Sequence, residues 1–132
     1  MPENLRGASV PKLPTLQETD PTGRSPHSPG AKLDAGKPPI KRGVLQYFPR
    51  ALEAVAFVSQ HGAEKYLWGG WRDVPDAINR YGDASERHTI KEVIEGPYDK
   101  DSELLHQAHK AWNELAVLEK MLEEGAPLRS PE

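Results

Sequence analysis

The distribution of proline limits this chain before any other feature does. Of thirteen prolines in 132 residues, eight (Pro2, Pro11, Pro14, Pro21, Pro26, Pro29, Pro38 and Pro39) fall before residue 40. Proline lacks a backbone donor and holds φ fixed, so a stretch this rich in it supports neither a helix interior nor a central strand. Between the prolines stand Ser, Gly, Thr and isolated charges with few aliphatics. Such a composition buries too little apolar area to offset roughly 1–2 kcal/mol of backbone entropy per ordered residue. Residues 1–33 are therefore expected to form a disordered arm, with wrapping over a partner subunit as the structured alternative. Residues 34–125 are expected to form a single domain, and residues 126–132 a flexible tail.

Past the arm the pattern is helical. Pro49 suits a first turn, and Ala51, Leu52, Val55 and Val58 recur at three- and four-residue spacing before Gly62. Tyr66 to Trp71 reads as an aromatic loop broken by Gly69 and Gly70. A second helix is expected over 76–95, closed by Gly96-Pro97, with Ile78, Tyr81, Ala84 or Ser85, His88 and Val93 or Ile94 facing inward. A third is expected over 103–124, capped by Ser102 and stopped by Gly125 and Pro127, about 33 Å long. Residues 40–48 suit a short extended piece, but no alternating strand pattern appears. The fold class is all-α, a small bundle of about three main helices. Its core is thin enough that pairing with a copy of itself, as a homo-oligomer, is expected to complete it.

Composition narrows the chemistry. With no cysteine there is no disulfide, thiolate ligand or cysteine nucleophile, so oxygen and imidazole are the ligand atoms left. A net charge of -3 gives no general pull toward nucleic acid or anionic lipid, so any phosphate must be gripped locally. Neither a membrane-spanning run nor a signal-peptide core occurs, and a cytoplasmic location is expected.

On the third helix, Leu104, Leu105, Ala108, Ala111, Trp112, Leu115, Leu118 and Leu122 form a broad apolar face, expected to be the core contact. His106, His109 and Asn113 form a polar stripe on the opposite side, which Val117 and Met121 extend as though a second helix or subunit covered part of it. Such a stripe can hold a metal, a water or a phosphate in a cleft, aided by Asp99, Asp101 and Glu103 just upstream; two histidines on one helix face are also commonly just solvated or bonded to neighbours. The spacing lacks the Glu of an HExxH protease and the His-Asp pair of an HD phosphohydrolase. Glu92 and Glu95 place two carboxylates on one face of the second helix, where they can hold Mg²⁺ or simply meet solvent. Arg87-His88, the Asp34-Ala-Gly-Lys37 segment and Lys65-Tyr66 are further phosphate or packing candidates, each weak alone.

Taken in order, these blocks resemble a phage and bacterial family named for the dATP/dGTP diphosphohydrolase N-terminal domain, related to the all-α MazG-type nucleoside triphosphate pyrophosphatases. The resemblance runs from about Asp34 to Leu118. It is carried by Asp34, Gly36, Lys37 and Pro38; by Gly62, Ala63, Lys65 and Tyr66; by Trp71 and Arg72; by Arg80, Tyr81, Ala84, Arg87 and His88; and by Asp99, Asp101, Ser102, His106, His109 and Asn113. His106-x-x-His109 stands where the MazG signature has ExxD. The resemblance implies hydrolysis of a (deoxy)nucleoside triphosphate to monophosphate and pyrophosphate, in phage-type nucleotide metabolism and so in a host cytoplasm. It implies Mg²⁺ or Mn²⁺ on Glu92, Glu95, Asp99 and Asp101, and His106, His109 and Asn113 as catalytic residues. Lys37, Lys65, Arg72, Arg87 and His88 would then meet substrate, with Tyr66 and Trp71 stacking on the base or closing the loop. The alternative is a non-catalytic helical binding or assembly module that keeps the family fold.

Overall fold

The computed structural model describes residues 17–131. Three α-helices carry the fold: α1 (Pro49–Lys65), α2 (Ala77–Glu95) and α3 (His106–Glu123). A π-helical turn (Lys41–Leu45) precedes α1, and a 3-10 turn (Gly70–Asp73) joins α1 to α2. The only pairing of extended backbone among the described residues is one antiparallel bridge, Tyr98 to Leu105. The all-α class is thus as expected, while the segment 40–48, expected to be extended, instead holds the π-helical turn and the turn that follows it, with the Gln46 N–H bonded back to the Lys41 carbonyl. No described helix is long and apolar enough to cross a membrane.

Each helix boundary has a local cause. Pro49 opens α1, where its missing N–H costs nothing. Helix α1 continues through Gly62 to Lys65, three residues beyond the expected stop. Asp76, with φ 54°, turns the chain into α2 and accepts a hydrogen bond from Asn79 Nδ2 at 3.0 Å. Gly96, with φ 91°, ends α2 in a conformation that a side chain would strain.

Helix α3 is the central element, with α2 packed along it and α1 touching it less extensively. The face it buries corrects the sequence expectation. His106, Ala108, His109, Asn113 and Ala116 are buried, whereas Leu115 and Leu118 of the expected core face are exposed, Leu118 by 51%. The polar stripe is the inner one because α2 supplies partners for it: Ala77, Tyr81, Ser85, His88, Glu92 and Glu95 lie on one helical face at spacings of three and four. Val93 and Ile94, one of which was expected to point inward, lie off that face and are 85% and 76% exposed. Buried polar groups are tolerated only when partnered, and no buried side-chain nitrogen or oxygen among the described residues lacks a partner.

Away from the polar end, Trp71, Tyr81 and Trp112 pack edge to face with centroids 5.5–6.2 Å apart. Trp112 Nε1 donates to Ser59 Oγ of α1 at 2.8 Å, tying all three helices to this cluster. Burial raises the Tyr81 hydroxyl above its ordinary pKa.

The part of the expected disordered arm that is described, residues 17–33, carries ordered turns. The Asp20 carboxylate accepts from the Thr22 hydroxyl and from the backbone N–H groups of Thr22 and Lys32, each N–H at 2.7 Å, and these bonds hold it at about 2. One carboxylate thereby replaces the apolar burial the segment lacks, as Asp commonly does in turns. Residues 1–16 of that arm lie outside the described residues.

Ala116 is 3% exposed on the contact side of α3. Ala116→Leu is expected to overpack that contact and lower stability by about 1–3 kcal/mol, read as a shift in the urea midpoint with little change in slope.

Candidate functional site

The chain between α2 and α3 builds the site. The expected start of α3 at Glu103 is displaced to His106 because Glu103 takes φ 64°, outside any right-handed helix. The loop closes on Asp99: its N–H donates to the Leu104 carbonyl at 2.8 Å, and its own carbonyl accepts from the Glu103 N–H at 2.8 Å. The His106 N–H donates to the Pro97 carbonyl at 2.9 Å, which fastens the first turn of α3 to the end of α2. Ser102 is consequently not the helix cap that the sequence suggests; Leu105 holds that position without a side-chain bond.

Within this frame Glu95, Asp99 and His106 each bring one ligand atom, and the three lie within 4.8 Å of one another. His106 has no exposed surface. Its Nε2 lies 3.0 Å from Glu95 Oε2 and its Nδ1 lies 2.9 Å from His88 Nδ1.

A second chain of contacts reaches Asp99. The Ser102 hydroxyl donates to Asp99 Oδ2 at 2.8 Å, which leaves the serine oxygen to accept from His109 Nε2–H at 2.7 Å. The His88 and His109 rings stack at 4.4 Å and 5° from parallel, and His61 of α1 stands edge-on to His109 at 6.1 Å. Four of the five histidines are thus gathered in one place.

The environment separates the charges. Burial, reinforced by the neighbouring His88, pushes His109 down to about 4, so it is neutral at pH 7. Burial likewise lowers His88. Burial raises the Asp99 carboxyl, but hydrogen bonds from Ser102 and from the Asp101 N–H overcome it, and the group stays below the ordinary value and ionised.

The other sequence candidates stand elsewhere. Glu92 is half-buried one turn before Glu95, and Asp101 is exposed; neither belongs to the three-residue group. The Asn113 side chain is turned to the backbone, donating to the His109 carbonyl at 2.8 Å. Lys37 pairs with Glu18 at 3.5 Å within the N-terminal turns. Lys65 and Tyr66 are exposed at the end of α1, and Arg87 is exposed on α2. Trp71 is in the aromatic cluster, and Arg72 is bound to Glu123 at 2.6 Å while its carbonyl accepts from Lys120 Nζ. Burial raises Glu123, but the bonds from Arg72 and Lys120 bring it below its ordinary value. Sequence reasoning missed Ser102 and His61 as site residues; the one available signal was Ser102 standing three residues after Asp99 and seven before His109.

His109 titrates ordinarily near 6.5 and near 4 when folded, so the unfolded chain binds the extra proton between those values. Stability is expected to be full above 6.5 and to fall as pH drops toward about 4. In chelator-treated protein the urea midpoint should be lower at about pH 5 than at about pH 7.5. His109→Gln, which keeps a donor for Ser102 but cannot titrate, should flatten that slope.

Neither a curated relative nor a solved structure matches the chain significantly. Residues 27–127 match the family model described as dATP/dGTP diphosphohydrolase, N-terminal, starting seven residues ahead of Asp34. Since that match takes in all three helices and every member of the histidine and carboxylate cluster, the chain belongs to the dATP/dGTP diphosphohydrolase N-terminal family.

Proposed function

We propose that this protein hydrolyses a (deoxy)nucleoside triphosphate to the monophosphate and pyrophosphate, using a divalent cation held by Glu95, Asp99 and His106. The observation that carries the proposal is the convergence of these three ligand atoms, two of them on buried residues, in a family named for acting on dATP and dGTP. Two carboxylates and one imidazole, with no thiolate, fit Mn²⁺ and also Mg²⁺, the imidazole favouring Mn²⁺. A divalent cation bound there supplies charge to clamp phosphate oxygens and lowers the pKa of an attacking water.

The chain's own groups prepare that chemistry. Asp99 is held ionised by Ser102 and the Asp101 N–H, so it is ready to ligate at neutral pH. His109, neutral and committed through Nε2 to Ser102, orients the serine and through it the carboxylate. This reading moves His106 from the catalytic group to the ligands, and gives Asn113 the task of fixing the α3 backbone beside His109. Of the four cations considered for phosphate, Arg72 is occupied by Glu123 and Lys37 by Glu18, which leaves the exposed Arg87 and Lys65 for the triphosphate.

Self-association belongs to the same proposal. Val93, Ile94 and Ile90 are exposed beside the site, and Leu115, Leu118 and Met121 form a second exposed apolar row on α3, while only Val58, Ala77, Ala108 and Ala116 are buried hydrophobics among the described residues. A patch of this kind on a small chain marks an interaction surface. Sedimentation should return a mass above the 14.7 kDa of one chain, and Ile94→Glu should lower it.

The decisive measurement is pyrophosphate release from a panel of dNTPs with Mn²⁺ or Mg²⁺. Turnover is expected with at least one purine dNTP, and Glu95→Gln and Asp99→Asn should each reduce kcat by about 100-fold or more. Absence of turnover with every dNTP and both cations, at high protein concentration, overturns the proposal in favour of an assembly module.

A further inference from the structure

The contact between His88 and His106 carries more than packing. A neutral imidazole has one N–H and one bare nitrogen, and a buried ring needs a partner for each. In His106 the Nε2 faces a carboxylate, which only accepts, so the tautomer of the neutral ring that fits this contact carries its proton on Nε2 and donates to Glu95. Its Nδ1 is then bare, and the 2.9 Å contact is a hydrogen bond only if His88 donates from its own Nδ1–H. Were His106 Nε2 and Glu95 to hold a cation together, each of these roles would reverse. His106 Nε2 must give up its proton to act as a ligand, Nδ1 must carry one, and His88 Nδ1 must accept it.

We propose that His88 is a positioning residue for the cation site, one that exchanges tautomer with His106 when the cation binds. The inference rests on the reading that Glu95, Asp99 and His106 hold a divalent cation. The protons balance: the His106 Nε2 proton leaves to solvent, the His88 Nδ1 proton crosses to His106 Nδ1, and His88 Nε2 takes one from solvent. No net proton is released. His88 suits the task because its Nδ1 meets His106 while its ring plane is fixed by the stack on His109. His88 is thereby assigned to the cation site and not to the substrate, and outer partners of this type set ligand orientation and basicity.

Two variants separate the hydrogen bond from the ring. His88→Phe preserves an aromatic ring to stack on His109 but has no acceptor; His88→Asn loses the ring but can place Oδ1 near the position of Nδ1. Titration of chelator-treated protein with Mn²⁺, followed by the electron paramagnetic resonance of the free ion, should show His88→Phe weakened by about 10–100-fold and His88→Asn close to wild type. A measurement that needs no variant follows the ring nitrogens by ¹⁵N NMR, with Zn²⁺ as a diamagnetic stand-in. It should find His106 protonated at Nε2 and His88 at Nδ1 without metal, and both reversed with it. Mn²⁺ binding by His88→Phe equal to wild type, or rings whose tautomers do not change with metal, overturns the role of His88 and leaves the cation reading standing. Failure of the wild type itself to bind Mn²⁺, or binding that persists unchanged in Glu95→Gln and Asp99→Asn, overturns the cation reading and this inference with it.

Discussion

A fully buried imidazole with two answered nitrogens dictates much of this small fold. His106 has no contact with solvent, so its two partners, Glu95 and His88, must stay where α2 puts them. Leaving a buried donor or acceptor unpaired costs about 1–3 kcal/mol. A slip of α2 along α3 would strand both nitrogens of His106 at once and break the Pro97 to His106 backbone bond as well. The seam between the helices is therefore held in register by polar contacts, while the buried apolar residues beside it are mostly alanines that specify little.

The two ends of the bundle divide the work. At one end burial keeps His109 neutral, hydrogen bonds keep Asp99 ionised against its burial, and Ser102 joins the two. Both groups are held below their ordinary values, which leaves one neutral and its neighbour charged, a usual basis for dividing roles in a site. At the other end Trp71, Tyr81 and Trp112 supply an edge-to-face aromatic contact, and Arg72, Lys120 and Glu123 fasten the 3-10 turn to the last turn of α3. Lys120 and Arg72 also lie over the Trp71 ring, so cations cover an aromatic surface that would otherwise meet water.

What could be read in the sequence was local punctuation and residue type. Pro49 and Gly96 marked the limits of α1 and α2 because their backbone constraints act within one or two residues. His106 and His109 were legible as a pair because helical spacing puts them on one side of α3. Which side faces inward was not: the leucine row is the more apolar, and only the partners on α2, invisible to a wheel drawn for α3 alone, make the histidine side the buried one. The loop was hidden for a different reason. Neither glycine nor asparagine marks the left-handed residue, which here is Glu103, so the run looked continuous with the helix and Ser102 looked like its cap. The bond between Arg72 and Glu123 joins residues 51 positions apart, beyond any periodicity argument.

The candidate ligands span a short stretch of the chain. Glu95 and His106 are 11 residues apart, with Asp99 between them. The entropic cost of closing a loop rises with its length, and contacts between near neighbours form soonest on folding. The end of α2, its loop and the first turn of α3 can accordingly assemble as one early unit, ahead of the packing of α1. A cation captured by that unit would bias the folding path from its start as well as the finished protein.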